Sequence, residues 1–120
     1  MIAKRILITD DDLEFCEEVS ELLRGEGYIA DFVCDFCKVE GLIRNGSYEI
    51  IFLDYKMPGL TGVDILKKIK SYNVKMTIFL VSGRPFLEDV LKEENLSDMV
   101  SGILKKPIKP EEFLEKIKNS

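Results

Sequence analysis

Three short apolar runs constrain this chain more than any other feature: Ile6-Leu7-Ile8, Ile50-Ile51-Phe52-Leu53 and Ile78-Phe79-Leu80-Val81. None is interrupted by a polar residue, as expected of strands in a parallel sheet with helices on both faces. Two weaker segments, Tyr28 to Val33 and Gly102 to Lys105, bring the predicted strands to five. Between them apolar residues fall at helical spacing: Leu13, Cys16, Val19, Leu22 and Leu23, then Val39, Leu42 and Ile43, then Val63, Leu66 and Ile69. The punctuation agrees. Gly25 and Gly27 close the first helix, Asn45-Gly46 the second, and Thr61 with Asp64 forms a capping-box variant opening the third. Pro85 and Pro110 suit first-turn positions of the fourth and fifth. Five strand–helix repeats predict an α/β fold, a doubly wound five-stranded parallel sheet with five helices, placed on both faces by right-handed crossovers. A length of 120 residues suits one domain over 1–120.

Polar residues concentrate where those strands end. The first strand runs into Asp10-Asp11-Asp12, the third into Asp54, the fourth into Ser82 and the fifth into Lys105-Lys106-Pro107. Ligands of open α/β folds bind outside the carboxyl ends of the strands, near the point where strand order reverses. These carboxylates, the hydroxyl and a lysine are therefore expected to meet at one end of the sheet. Taken singly, an acidic residue at a strand end is ordinarily a helix cap or a solvated turn, and Asp12 reads as the cap of the first helix. Taken jointly, complementary polar types at four of five strand ends point to a site.

Such a cluster has a definite chemistry. Packed carboxylates repel and raise one another's pKa unless something neutralises them. A small hard cation with oxygen ligands, Mg²⁺ or Mn²⁺, is the natural partner. A lysine and a hydroxyl beside it would stabilise charge on the equatorial oxygens of a phosphoryl group in transfer. An aspartate can itself be the nucleophile, giving an acyl phosphate.

The rest of the composition removes alternatives. A formal net charge of −5 and a pI near 4.8 predict no general affinity for nucleic acid or an anionic membrane. No apolar run approaches the roughly 20 residues that cross a bilayer, and Met1 to Thr9 lacks a signal-peptide layout, so a cytoplasmic location is expected. The absence of histidine removes Ser-His and Cys-His nucleophile pairs and histidine-bearing zinc sites. Cys34-x-x-Cys37 supplies half a zinc set, and all three cysteines are expected to serve packing. Nucleotide-binding glycine loops are missing. Gly59 and Gly62 are expected to give positive φ in the turn after Asp54, and Lys67, Lys68 and Lys70 to form a solvated helix face.

With these residues in view, the chain resembles the receiver family of two-component response regulators along its whole length. The resemblance rests on Asp10-Asp11, on Phe52-Leu53-Asp54-Tyr55-Lys56-Met57-Pro58-Gly59 with Gly62, on Val81-Ser82-Gly83 and on Lys106-Pro107. It implies a flavodoxin-like, CheY-like three-layer sandwich. It further implies that Asp54 accepts a phosphoryl group from a phosphohistidine on a sensor histidine kinase or a histidine phosphotransfer protein. Asp11 and Asp54 would bind Mg²⁺ directly, Asp10 through water and Lys56 through its backbone carbonyl. Lys106 and Ser82 would contact the phosphoryl oxygens, and the Lys106-Pro107 peptide would be cis. The implied activity is that of a signalling switch, which catalyses only its own phosphorylation and slow self-dephosphorylation. Output would pass to a partner protein or an attached domain through the fourth helix, fifth strand and fifth helix, with a homodimer as one form.

Three positions depart from the family pattern. Ile103 stands where a switch Tyr or Phe is usual, Lys105 where a small or apolar residue is commoner, and the stretch from Ser82 to Lys106, with Asn95-Leu96-Ser97-Asp98, is about two residues longer than usual. A haloacid-dehalogenase-type phosphatase would instead use Asp10 as nucleophile and Asp12 as acid–base, but Glu14 stands where that family has Thr or Val. A receiver serving as a protein-binding module without phosphorylation is a further alternative.

Overall fold

Successive strand residues point to opposite faces of a sheet, so a continuous apolar run needs cover on both sides. The computed structural model describes residues 4–45, 48–57, 60–72 and 75–120, and only the backbone at positions 36, 37, 56, 57 and 60. In chain order its elements are β1 (Arg5–Thr9), α1 (Leu13–Gly25), β2 (Ile29–Val33), α2 (Phe36–Asn45), β3 (Ile50–Asp54), β4 (Lys56–Met57) and β5 (Leu60–Thr61). They continue with α3 (Gly62–Tyr72), β6 (Thr77–Ser82), α4 (Leu87–Glu93), a 3₁₀ turn (Ser97–Met99), β7 (Gly102–Lys105) and α5 (Pro110–Lys118).

Five strands form one parallel sheet in the order β2-β1-β3-β6-β7. On one face Ile6, Ile8, Phe52, Phe79 and Val81 pack with Cys16, Val19 and Leu23 of α1 and with Phe113 and Ile117 of α5. Phe52 stacks on Phe79 with centroids 5.3 Å apart and takes Phe113 edge-on at 4.7 Å. On the other face Leu7, Ile51, Leu53, Ile78 and Leu80 meet apolar residues of α2, α3 and α4. The apolar runs thus serve two cores at once, which is why they show no alternation.

Local chemistry ends the helices much as the punctuation predicts. The Asp12 carboxylate accepts the Phe15 N–H at 3.2 Å and caps α1. Gly27, at φ 95°, lets the chain turn after α1 while its N–H and that of Tyr28 bond back to the Arg24 and Leu23 carbonyls. Thr61 and Asp64 exchange hydrogen bonds before α3, and Pro110 stands in the first turn of α5. Gly46 and Gly59 lie outside the described residues.

Several expectations are corrected. Pro85 precedes α4 instead of sitting in its first turn, because Phe86 takes a left-handed conformation (φ 60°) before the helix begins. Gly62 opens α3 without positive φ; the constraint is space, since a Cβ there would lie 3.0 Å from the Tyr55 Cα. Lys67, Lys68 and Lys70 do lie on the exposed or half-exposed face of α3, where Lys67 also pairs with Glu94 at 2.7 Å and Lys68 with Glu40 at 3.2 Å. The antiparallel β4–β5 ribbon had no sequence signal, because strands of two residues show no periodicity. The stretch after α4 holds Asn95 at φ 58° and buries Leu96.

The strand order also locates the site. β1 lies between β2 and β3, so the chain leaves β1 to one side and returns to the other. That reversal opens a crevice at the carboxyl ends of β1 and β3.

Candidate functional site

Asp10 and Asp54 follow or close the two strands that flank this crevice, and both are buried. Asp11, one residue further along, is exposed. One carboxylate oxygen from each of Asp10, Asp11 and Asp54 lies within 4.8 Å of the others. Lys106, just past β7, reaches across with its Nζ 3.3 Å from Asp10 Oδ2 and 3.3 Å from Asp54 Oδ2. The Lys106-Pro107 peptide is cis. Ser82 ends β6 beside β3, and its carbonyl accepts the Lys106 N–H at 3.0 Å. Asp11, Asp54, Ser82 and Lys106 line one cleft of about 540 Å³. A second cleft of about 500 Å³, with Asp10, Asp11 and Lys106 in its wall, opens toward Phe15, Pro107 and Ile108. Lys56 begins β4 and pairs with Thr61, with its backbone two residues beyond Asp54.

The electrostatics follow from this crowding. Burial pushes the Asp10 carboxyl above its ordinary value, against the lowering effects of the Asp12 N–H (3.1 Å) and of Lys106. Burial works against the charge of Lys106, but Asp54 and Asp10 outweigh it and hold the ammonium above its ordinary pKa. Three carboxylates facing one ammonium leave excess negative charge. The donor set is all oxygen, small and partly buried, and fits a hard divalent cation.

The structure adds residues with no motif to announce them. Thr9 Oγ1 donates to the Phe52 carbonyl (3.3 Å) and accepts the Asp54 N–H (3.1 Å), so it braces the strand that ends in Asp54. Tyr55 is buried directly after Asp54, and Arg84 lies over its ring, 5.5 Å from the centroid. The Arg84 guanidinium also donates to the Tyr55 hydroxyl at 3.3 Å, and its backbone N–H donates to Ser82 Oγ at 2.9 Å. Placing Arg84 two residues after the strand-end hydroxyl is the signal that could have flagged it.

The Asp12 carboxylate caps α1 through the Phe15 N–H, and nothing supports the phosphatase alternative. Cys16 is fully buried with its thiol donating to the Asp10 carbonyl at 3.6 Å, and burial pushes that thiol up beyond the ordinary range. Cys34 packs against the same core, while the side chain of Cys37 lies outside the described residues. Among the described residues no helix is long and apolar enough to cross a membrane.

Comparison with known proteins agrees with this geometry. The family model "Response regulator receiver domain" matches residues 6–118. The DNA-binding response regulator MtrA of Mycobacterium tuberculosis is 26% identical over 115 residues, covering 96% of this chain and 49% of that protein. The transcriptional regulatory protein ZraR of Klebsiella oxytoca is 26% identical over 108 residues, covering 90% of this chain and 23% of its own length. The chain therefore spans about half or less of these curated relatives. Among solved structures, a CheY-like response regulator receiver domain protein from Methanospirillum hungatei superposes with a TM-score of 0.85 at 29% identity, covering 98% of this chain and 93% of that one. A two-component response regulator from Clostridium difficile shares the fold, with a TM-score of 0.83 at 24% identity over 97% of this chain and 93% of that one. The chain belongs to the response regulator receiver domain family, the signalling module of two-component systems.

Proposed function

We propose that this receiver takes a phosphoryl group onto Asp54 from the phosphohistidine of a sensor histidine kinase or phosphotransfer protein, with Mg²⁺ or Mn²⁺ held by Asp10, Asp11, Asp54 and the Lys56 carbonyl. The observation that carries this reading is the convergence of three carboxylates within 4.8 Å on an ammonium bonded to two of them. A bound divalent cation would supply charge neutralisation at the phosphoryl oxygens. An Asp54 carboxylate oxygen attacks phosphorus as the phosphorus–nitrogen bond breaks, and the electron pair of that bond leaves with the imidazole. Lys106 exchanges one of its carboxylate partners for a phosphoryl oxygen. Ser82, whose Oγ accepts the Arg84 N–H, retains its own hydroxyl proton to donate to the same group. The two arrangements of the loop that follows form the switch.

Output on this reading passes through α4, β7 and α5 to a partner or an attached domain, in the cytoplasm. Ile103 helps line a groove of about 320 Å³ there, with Leu91, Val100 and Glu88. An aliphatic side chain gives this receiver no aromatic ring to swing.

Intact mass after incubation with a small phosphodonor and Mg²⁺ tests the assignment. One added phosphoryl group on the wild type, lost in Asp54→Asn and with EDTA, is expected. An equal addition on Asp54→Asn would move the acceptor elsewhere.

A further inference from the structure

Arg84 is a second cation on the acceptor cleft, and the charge of the phosphorylated site calls for one. Three carboxylates against the Lys106 ammonium leave two negative charges, which a divalent cation would match. Converting the Asp54 carboxylate into an acyl phosphate dianion adds one more. Lys106 is already shared between Asp10 and Asp54 at 3.3 Å each.

Arg84 is placed to meet that charge. Its side chain is exposed and lines the same cleft as Asp54, Ser82 and Lys106. Its side chain rests on Tyr55, a neutral ring and hydroxyl. Tyr55 is a fixed platform: its N–H donates to the Val81 carbonyl at 2.9 Å, its carbonyl accepts the Gly62 N–H at 2.6 Å, and Gly62 leaves no room for it to drop. Moving from that platform to a phosphoryl oxygen would exchange a cation–π contact and a hydrogen bond to a neutral hydroxyl for charge-assisted hydrogen bonds to an anion. The planar guanidinium matches two phosphoryl oxygens at once, as a lysine cannot. The backbone N–H of Arg84 is bonded to Ser82 Oγ, so both groups ride on one loop.

We propose that Arg84 is a phosphoryl-contacting residue, parked on Tyr55 in the unphosphorylated site and engaging the phosphoryl oxygens when Asp54 carries the group. The proposal rests on Asp54 being the acceptor. It gives the loop after β6 two grips on the phosphoryl group, the Ser82 hydroxyl and the Arg84 guanidinium.

The test compares wild type, Arg84→Ala and Arg84→Lys with Mg²⁺ present. Two quantities are measured: the dissociation constant for beryllium fluoride, a phosphoryl mimic, and the acetyl phosphate concentration giving half-maximal phosphorylation by intact mass. Loss of a charge-assisted contact at an exposed site should raise both about tenfold in Arg84→Ala. Arg84→Lys should fall between, since it retains the charge and loses the fork. Phosphorylation of the wild type with both quantities unchanged in Arg84→Ala would overturn the role of Arg84 alone. A wild type that takes up no phosphoryl group and binds no beryllium fluoride would overturn the acceptor assignment as well.

Discussion

Thr9 closes β1 with its hydroxyl turned to the neighbouring strand, between the Phe52 carbonyl and the Asp54 N–H. It joins the strand that leads to Asp10 to the strand that ends in Asp54, so the carboxylate separation depends on it. Thr9→Val keeps the shape and removes the hydroxyl, leaving buried polar groups short of a partner. Urea denaturation should show a loss on the order of 1–3 kcal/mol, while Thr9→Ser should stay close to wild type. Equal stability of Thr9→Val and wild type would show that the hydroxyl contributes nothing. Asp10 has a different role at this scale. Burial and then the neighbouring Asp11 carboxylate work against its charge, while the Asp12 N–H and Lys106 favour it.

Between elements, the helices of the α2–α3–α4 face are joined at their rims by polar contacts. Glu40 of α2 accepts from both the Tyr72 hydroxyl and Lys68 of α3, and Lys67 of α3 pairs with Glu94 just after α4. The Tyr72 hydroxyl, then Lys68, hold the Glu40 carboxyl below its ordinary range. A depressed folded-state pKa contributes stability above the unfolded-state pKa, and that contribution is lost as pH falls through the folded value. Glu40→Gln should therefore melt at a lower temperature than wild type at neutral pH. The gap should close once pH falls below the carboxylate range, and a gap that persists in acid would assign the effect to packing. On the same face, the 3₁₀ turn and buried Leu96 give the stretch between α4 and β7 its own packing contacts.

For the whole molecule, the strand order brings negative charge to one end of the sheet, where a cation bound only by the native state would stabilise it. Saturation of the Mg²⁺ site to ten times its dissociation constant should add about 1.4 kcal/mol, read as a rise in melting temperature that EDTA reverses. Asp11→Ala, which removes the exposed carboxylate of the proposed set, should shrink that rise. A melting temperature indifferent to Mg²⁺ would argue against a native-state cation site.

The sequence alone determined the sheet, the two covered faces and the strand-end carboxylates, hydroxyl and lysine, since burial and strand termination leave periodic, local marks. Ile6-Leu7-Ile8 could be read because each residue's environment is encoded in its own hydrophobicity. Thr9 and Tyr55 could not, because a bracing threonine or a tyrosine that carries an arginine is ordinary in composition and meaningful only by position. The constraint at Gly62 was misassigned for the same reason: a glycine shows that something is special, while the Tyr55 backbone 3.0 Å from a would-be Cβ says what. Tertiary structure alone decided that Lys106 lies equally close to Asp10 and Asp54, because contacts between residues on β1, β3 and β7 follow from strand order and register.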